Sequence, residues 1–336
     1  MTIKPFLKTV IAIAAMAAVL LYWRHWIQEQ RALQKAEARA LIAKGRTAQG
    51  RSPHPNPLPG AKLIETAHYT ITSTADAAQT QQVADAAEAL YSAYAAFFPG
   101  KAASAPRNRL KLTLYAHQAQ FKANNRSLPW AEAYYLRPIC YAYYAKNESN
   151  PYHWMVHEAT HQLNAEVSGF PKTRWVDEGL ATYFGTSRIE PGTSEPGTSG
   201  RGKLVPGKID RDAYPIWWLT NSGLTGSLDK DIDEGNWVPI RALITGIDAP
   251  SIASNVNGYY IQYWSLSHFL FHGENGRYAA GYKRLIAEGG SLANFERLIG
   301  PADRVEYEWY RYLQGEIAEL APQADDDEAT PVMSAP

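Results

Sequence analysis

The stretch HEATHQ, His157 to Gln162, decides how this chain is read. Residues four apart on a helix lie on one face, with Cβ atoms about 6 Å apart. Two imidazoles so placed can each offer a nitrogen to one ion at about 2.0–2.1 Å. Glu158 sits one step further round the helix, where it misses such an ion but reaches a water held beside it. The pattern predicts His157 and His161 as metal ligands and Glu158 as a general base. The competing reading is a pair of core histidines next to an exposed glutamate.

The flanking residues favour the metal site. Asn150-Pro151 predicts a helix start, with the helix running to about Val167 and stopping at Gly169. A catalytic zinc site needs three protein ligands and an open position, whereas a structural one is closed by four. The stretch RWVDEGLATYF, residues 174–184, supplies the third ligand as Glu178. Its short helix, stopped by Gly185, is expected to pack on the first through Leu180 and Ala181. Asp177 is the nearest rival and is expected either to cap that helix or to bond a ligand histidine. Glu166 is expected to point elsewhere, and residue 167 is valine, so the longer HExxHxxGxxH pattern is absent. His153 extends the stripe, but an ion shared by 153 and 161 would span about 12 Å of helix axis. It is read as a cleft-wall or surface residue. His268 and His272, in HFLFH, have ligand spacing without an acid between them and are read as core.

The bulk composition restricts the alternatives. The chain has 336 residues, with 33 Lys plus Arg balanced by 33 Asp plus Glu, so charge makes no case for nucleic-acid binding. A single cysteine, Cys140, excludes an internal disulfide. The N-terminus MTIKPFLKTVIAIAAMAAVLLYWRHW carries lysines at 4 and 8, then an apolar run from Val10 to Trp23. Tyr22, Trp23 and Trp26 stand where an interfacial aromatic belt would lie. Residues 1–23 are read as a membrane anchor with the body outside the cytoplasm, periplasmic or extracellular. A cleaved signal, giving a secreted protein, is the alternative.

Residues 24–61 read as a helical stalk followed by a Pro-rich linker, and a folded domain is expected over 62–320. KLIETAHYTITST predicts a first strand, ADAAQTQQVADAAEALYSAYAAFF a helix ending at PG, and RLKLTLYA a strand. AEAYYLRPICYAYYA predicts a bent strand or hairpin with Pro138 at an edge or turn. Residues 187–236, with EPGTS twice, read as loop-rich, and 237–320 as mostly helical. The acidic stretch 321–336 reads as disordered. Strands before the motif helix and helices after it make an α+β fold.

HEATHQL followed by RWVDEGLATYFGTSRI resembles the gluzincin metallopeptidases. More closely, it is similar to peptidase-MA-like bacterial proteins of largely uncharacterised function. The resemblance spans residues 63 to about 315 and includes AHYTITST and YYIQYWSLSHFL. It implies a zincin-like fold, zinc held by His157, His161 and Glu178, and Glu158 as base. It also implies an edge strand that binds substrate backbone by strand addition, here AEAYYLRPICYAYY. A tyrosine stabilising the oxyanion is a further implication, with Tyr260 preferred over Tyr259 and Tyr263 because it begins Y-x-Q-x-W. The expectation is a membrane-anchored zinc peptidase acting on peptides or proteins. The alternative is a non-catalytic envelope binding or scaffold protein on a peptidase-like fold.

Overall fold

The computed structural model describes residue 55 and residues 58–100, 108–128, 131–191 and 202–320. The anchor, nearly all of the stalk and linker, most of the first copy of EPGTS, all of the second and the acidic tail lie outside the described residues. Among the described residues no helix is long and apolar enough to cross a membrane.

The first half is a five-stranded mixed sheet with helices against it. Strands β1 (Lys62–Glu65), β2 (Tyr69–Ser73), β3 (Leu110–Tyr115), β4 (Tyr134–Leu136) and β5 (Ile139–Tyr143) lie in the order β1-β2-β3-β5-β4. The three inner strands are parallel and the two outer ones antiparallel to their neighbours. KLIETAHYTITST is therefore a hairpin rather than one strand. The turn is fixed from outside: Thr66 and the backbone N–H of His68 both donate to Glu88, and the Thr66 hydroxyl accepts from Tyr69 N–H. AEAYYLRPICYAYYA is likewise a hairpin, with Pro138 in its turn.

Side-chain alternation decides what each sheet face carries. On β5, Cys140 and Ala142 face the main core, and Tyr141 and Tyr143 face a smaller aromatic cluster with Phe121. The small pair lets the motif helix sit close to the sheet. Helix α1 (Ala77–Phe97) starts at a capping box in which Asp76 accepts from Gln79 N–H at 2.8 Å. It packs Val83, Ala87, Leu90 and Tyr94 into the same core. The short α2 (Gln118–Asn124) brings Phe121 to the opposite face.

Helix α3 (His153–Leu163) carries HEATHQ. It starts two residues later than Asn150-Pro151 predicts. Asn150 donates its side-chain amide to Asp210 at 2.8 Å, its side-chain oxygen accepts from Tyr152 N–H at 3.4 Å, and its carbonyl meets His153 Nδ1, so it closes a turn ahead of the helix. After Leu163 the helix widens into a π turn, Asn164–Ser168, and stops at Gly169 in the left-handed conformation, φ 60°. Helix α4 (Arg174–Gly185) follows, so Glu178 lies in its second turn.

The segment 187–236 is more regular than its Pro and Gly content predicts. Strands β6 (Ser187–Glu190) and β7 (Lys203–Ile209) pair antiparallel, with a register shift between Ser187 and Ile189. Pro206 and Gly207 are accommodated in β7, Gly207 at φ 82°. Helices α5 (Leu228–Asp233), α6 (Ile240–Thr245), α7 (Val256–Gly276), α8 (Ala279–Glu288), α9 (Leu292–Leu298) and α10 (Ala302–Leu320) complete the chain. The result is an α+β fold in which α4 is held between α3 and α7.

Candidate metal centre and cleft

Two glycines set the site by letting helices approach. A Cβ on Gly185 would lie 3.3 Å from His157 Cβ, so α3 and α4 cross there. Leu180 and Ala181, expected at this crossing, are both buried, and Gly185 meets His157 directly. A Cβ on Gly179 would lie 2.3 Å from Ser267 Oγ, which brings α7 against the other side of α4. These crossings place His157, His161, Glu158, Glu178 and Tyr260 around one cleft of about 820 Å³.

His157 Nε2 and His161 Nε2 each lie 3.6 Å from the same oxygen, Glu178 Oε2. A tetrahedral ion with bonds of 2.0–2.1 Å separates its ligand atoms by about 3.3 Å. Each nitrogen thus stands at near-ligand spacing from that oxygen. Glu178 Oε2 is buried and accepts no hydrogen bond among the described residues. A carboxylate oxygen without a donor, facing two ring nitrogens, is the arrangement a cation would complete. His157, Glu158 and His161 also form a group able to hold a metal, with ligand-type atoms within 4.8 Å of one another. Glu158 Oε2 accepts the backbone N–H of Tyr135 at 2.8 Å, which leaves Oε1 as its unengaged oxygen.

An outer chain of contacts reaches His161. His161 Nδ1 lies 3.1 Å from Asp177 Oδ1. Asn164 donates to that same carboxylate oxygen at 3.0 Å and accepts from Tyr94 Oη at 2.8 Å. Asp177 therefore faces His161, and it does not cap α4. Burial pushes its carboxyl upward, but bonding to His161 outweighs this and holds it below the ordinary range. Burial likewise pushes Glu178 up, and the charge of His161 overrides it, leaving the group well below its usual value. For His161 burial lowers the pKa, while Glu178 and then Asp177 raise it well above normal. The two carboxylates create a strong demand for positive charge at this imidazole.

The remaining predicted residues separate clearly. The Tyr260 ring is 6.0 Å from that of His157 and lines the cleft. Burial first, then the charges of Glu178 and Glu158, raise its pKa, so it stays a neutral phenol. Tyr259 points away and donates to Pro250 O, and Tyr263 is buried behind Tyr260. Glu166 accepts from Tyr135 Oη at 2.5 Å and pairs with Arg137, away from the histidines. His153 is a cleft wall rather than surface, at 2% exposed. His268 and His272 are not part of the cluster.

Several site residues escape sequence reasoning. Tyr135 holds Glu158 through its amide, which no side-chain pattern marks. Asn164 lies three residues past His161, hence on the same helix face, but one asparagine in that position is a weak signal. Tyr214 lines the cleft 5.5 Å from Tyr260 and donates to Asn257 Oδ1, from a segment read as loop. No protein-family model matches the chain, and no curated protein matches it significantly.

Proposed function

We propose that this chain is a zinc-dependent metallopeptidase of gluzincin type on a zincin-like fold. In this reading residues 1–23 hold it at a membrane with its body outside the cytoplasm. The observation that carries the reading is Glu178 Oε2, buried, without a hydrogen-bond donor, and 3.6 Å from both Nε2 atoms. His157, His161 and Glu178 would hold the zinc, which when bound polarises a scissile carbonyl and makes an attacking water more acidic.

The other roles belong to the chain itself. Glu158, steadied at Oε2 by the Tyr135 amide, has Oε1 left to take a proton from the attacking water. It then returns that proton to the leaving amine. Asp177 fixes the His161 ring, so its Nε2 faces the cleft as an acceptor. Tyr260, kept neutral, donates a hydrogen bond to the oxygen that becomes negative in the tetrahedral intermediate. Substrate backbone would lie along β4, the strand at the sheet edge next to the cleft.

The test is hydrolysis of a peptide library by the purified protein, with and without chelator, against Glu158→Gln. The variant is expected to keep its metal and lose turnover by at least about a hundredfold. Unchanged hydrolysis by Glu158→Gln would remove the base from the scheme.

A further inference from the structure

Resting on that reading, we propose that the cleft selects substrates carrying a carboxylate within about two residues of the scissile bond. The carboxylate, an acidic side chain or a terminal one, would be met by Arg174 and Lys172.

Charge in the cleft is unevenly matched. Of its acidic lining residues, Glu158, Asp177 and Glu178 serve the metal cluster. Glu132 is neutralised by Lys122 at 2.8 Å. The cationic lining residues Lys172 and Arg174 are both exposed. Neither has a hydrogen-bond or ion-pair partner among the described residues. One arm of the cleft thus carries two cations that no ion pair engages among the described residues. A cleft with low-dielectric walls focuses such a field on what enters it.

Arg174 is placed for this rather than merely present. It lies four residues before Glu178 on α4, so the two share a helix face about 6 Å apart. An extended peptide advances about 3.3 Å per residue, so the separation of the two Cβ atoms corresponds to about two residues of substrate. Its backbone is pinned on both sides. Thr173 Oγ1 accepts from Gly290 N–H at 3.1 Å, and Trp175 Nε1 donates to Gly290 O at 2.7 Å. A Cβ at Gly290 would come within 2.8 Å of Trp175 Nε1 and 2.5 Å of Val176 Cγ2, so this clamp requires the glycine. The Arg174 side chain is exposed at the cleft lining, and its charge also acts on the hydroxyls of Tyr259 and Tyr263. Its planar fork suits bidentate contact with a carboxylate.

The experiment uses the full-length protein and matched fluorogenic peptides. One set exchanges Glu for Gln at each position around the cleaved bond, and another exchanges a free C-terminus for an amide. A preference of about two- to fivefold in kcat/KM for the carboxylate peptide is expected, the size of one favourable exposed charge contact. It should shrink with added salt. Arg174→Gln and Lys172→Gln should each reduce it, mainly through KM, and Arg174→Lys should retain part of it. The side-chain and C-terminal sets show which source of carboxylate is read. Binding of the same peptides to Glu158→Gln, followed by fluorescence anisotropy, separates the two readings. Hydrolysis with no carboxylate preference overturns this inference and leaves the peptidase reading intact. Carboxylate-selective binding lost in Arg174→Gln, without hydrolysis by the wild type, upholds carboxylate recognition by Arg174 and overturns the peptidase. Failure of every peptide both to bind and to be cleaved overturns both.

Discussion

Two helices of this protein carry histidine pairs with the same spacing, and the pairs have opposite fates. On α3, His157 and His161 turn their Nε2 atoms toward one carboxylate oxygen that has no hydrogen-bond donor. On α7, His268 bonds Tyr312 Oη through Nδ1 at 2.8 Å and Gly207 O through Nε2 at 3.0 Å. His272 Nε2 meets Tyr183 Oη at 2.8 Å. A helix turn makes two imidazoles neighbours, but it does not make them ligands. What separates the pairs is what faces them. The first is met by Glu178 from a second helix; the second is met by phenols and a backbone carbonyl that already satisfy it.

The comparison is broken most directly by removing one histidine from each pair. His161→Ala should lower metal affinity by more than the roughly hundredfold that loss of an outer partner costs. His268→Ala should leave metal content unchanged while lowering thermal stability. If both variants retain metal equally, the distinction drawn here fails. Asp177→Asn sharpens it, because the α7 pair has no such carboxylate: affinity should fall about ten- to a hundredfold, read by competition with a chelator. Gly179→Ala should destabilise by about 1–3 kcal/mol through overpacking between α4 and α7, measured by denaturant unfolding. A neutral outcome would mean that Ser267 moves aside cheaply.

The smallest effect is on pH. Burial holds His268 below the ordinary imidazole value, and its bond to Gly207 O opposes this only in part. Its folded pKa is lowered, so the unfolded chain binds the proton more readily. Stability is full above about pH 6.5 and falls as pH drops from there toward the folded value. In His268→Gln that part of the acid sensitivity should vanish. An unchanged pH profile of unfolding would show that the ring is not held neutral.

Much of this was legible in the sequence because it was local. HEATHQ and VDEGLATYF each occupy one helix, and helical periodicity puts their polar residues on predictable faces. The strand at 110–115 and the helices after 237 were legible for the same reason. What was illegible depends on distant partners. The hairpin at 62–73 needs Glu88 from α1 to satisfy its turn. The start of α3 was misplaced because Asn150 is engaged by Asp210, sixty positions away. Strand β7 contains Pro206 and Gly207, which read as loop until β6 supplies a pairing edge. The Tyr135 amide on Glu158 is a backbone contact, and backbone donors are identical in every sequence.

The central claim is that one ion is held by His157, His161 and Glu178. The direct measurement is metal content together with X-ray absorption at the zinc edge, on the purified protein and on Glu178→Ala. The account predicts about one zinc per chain, with nitrogen and oxygen neighbours at about 2.0–2.2 Å, and its loss or marked weakening in the variant. A protein that takes up no zinc, or that holds it equally well without the Glu178 carboxylate, would contradict it.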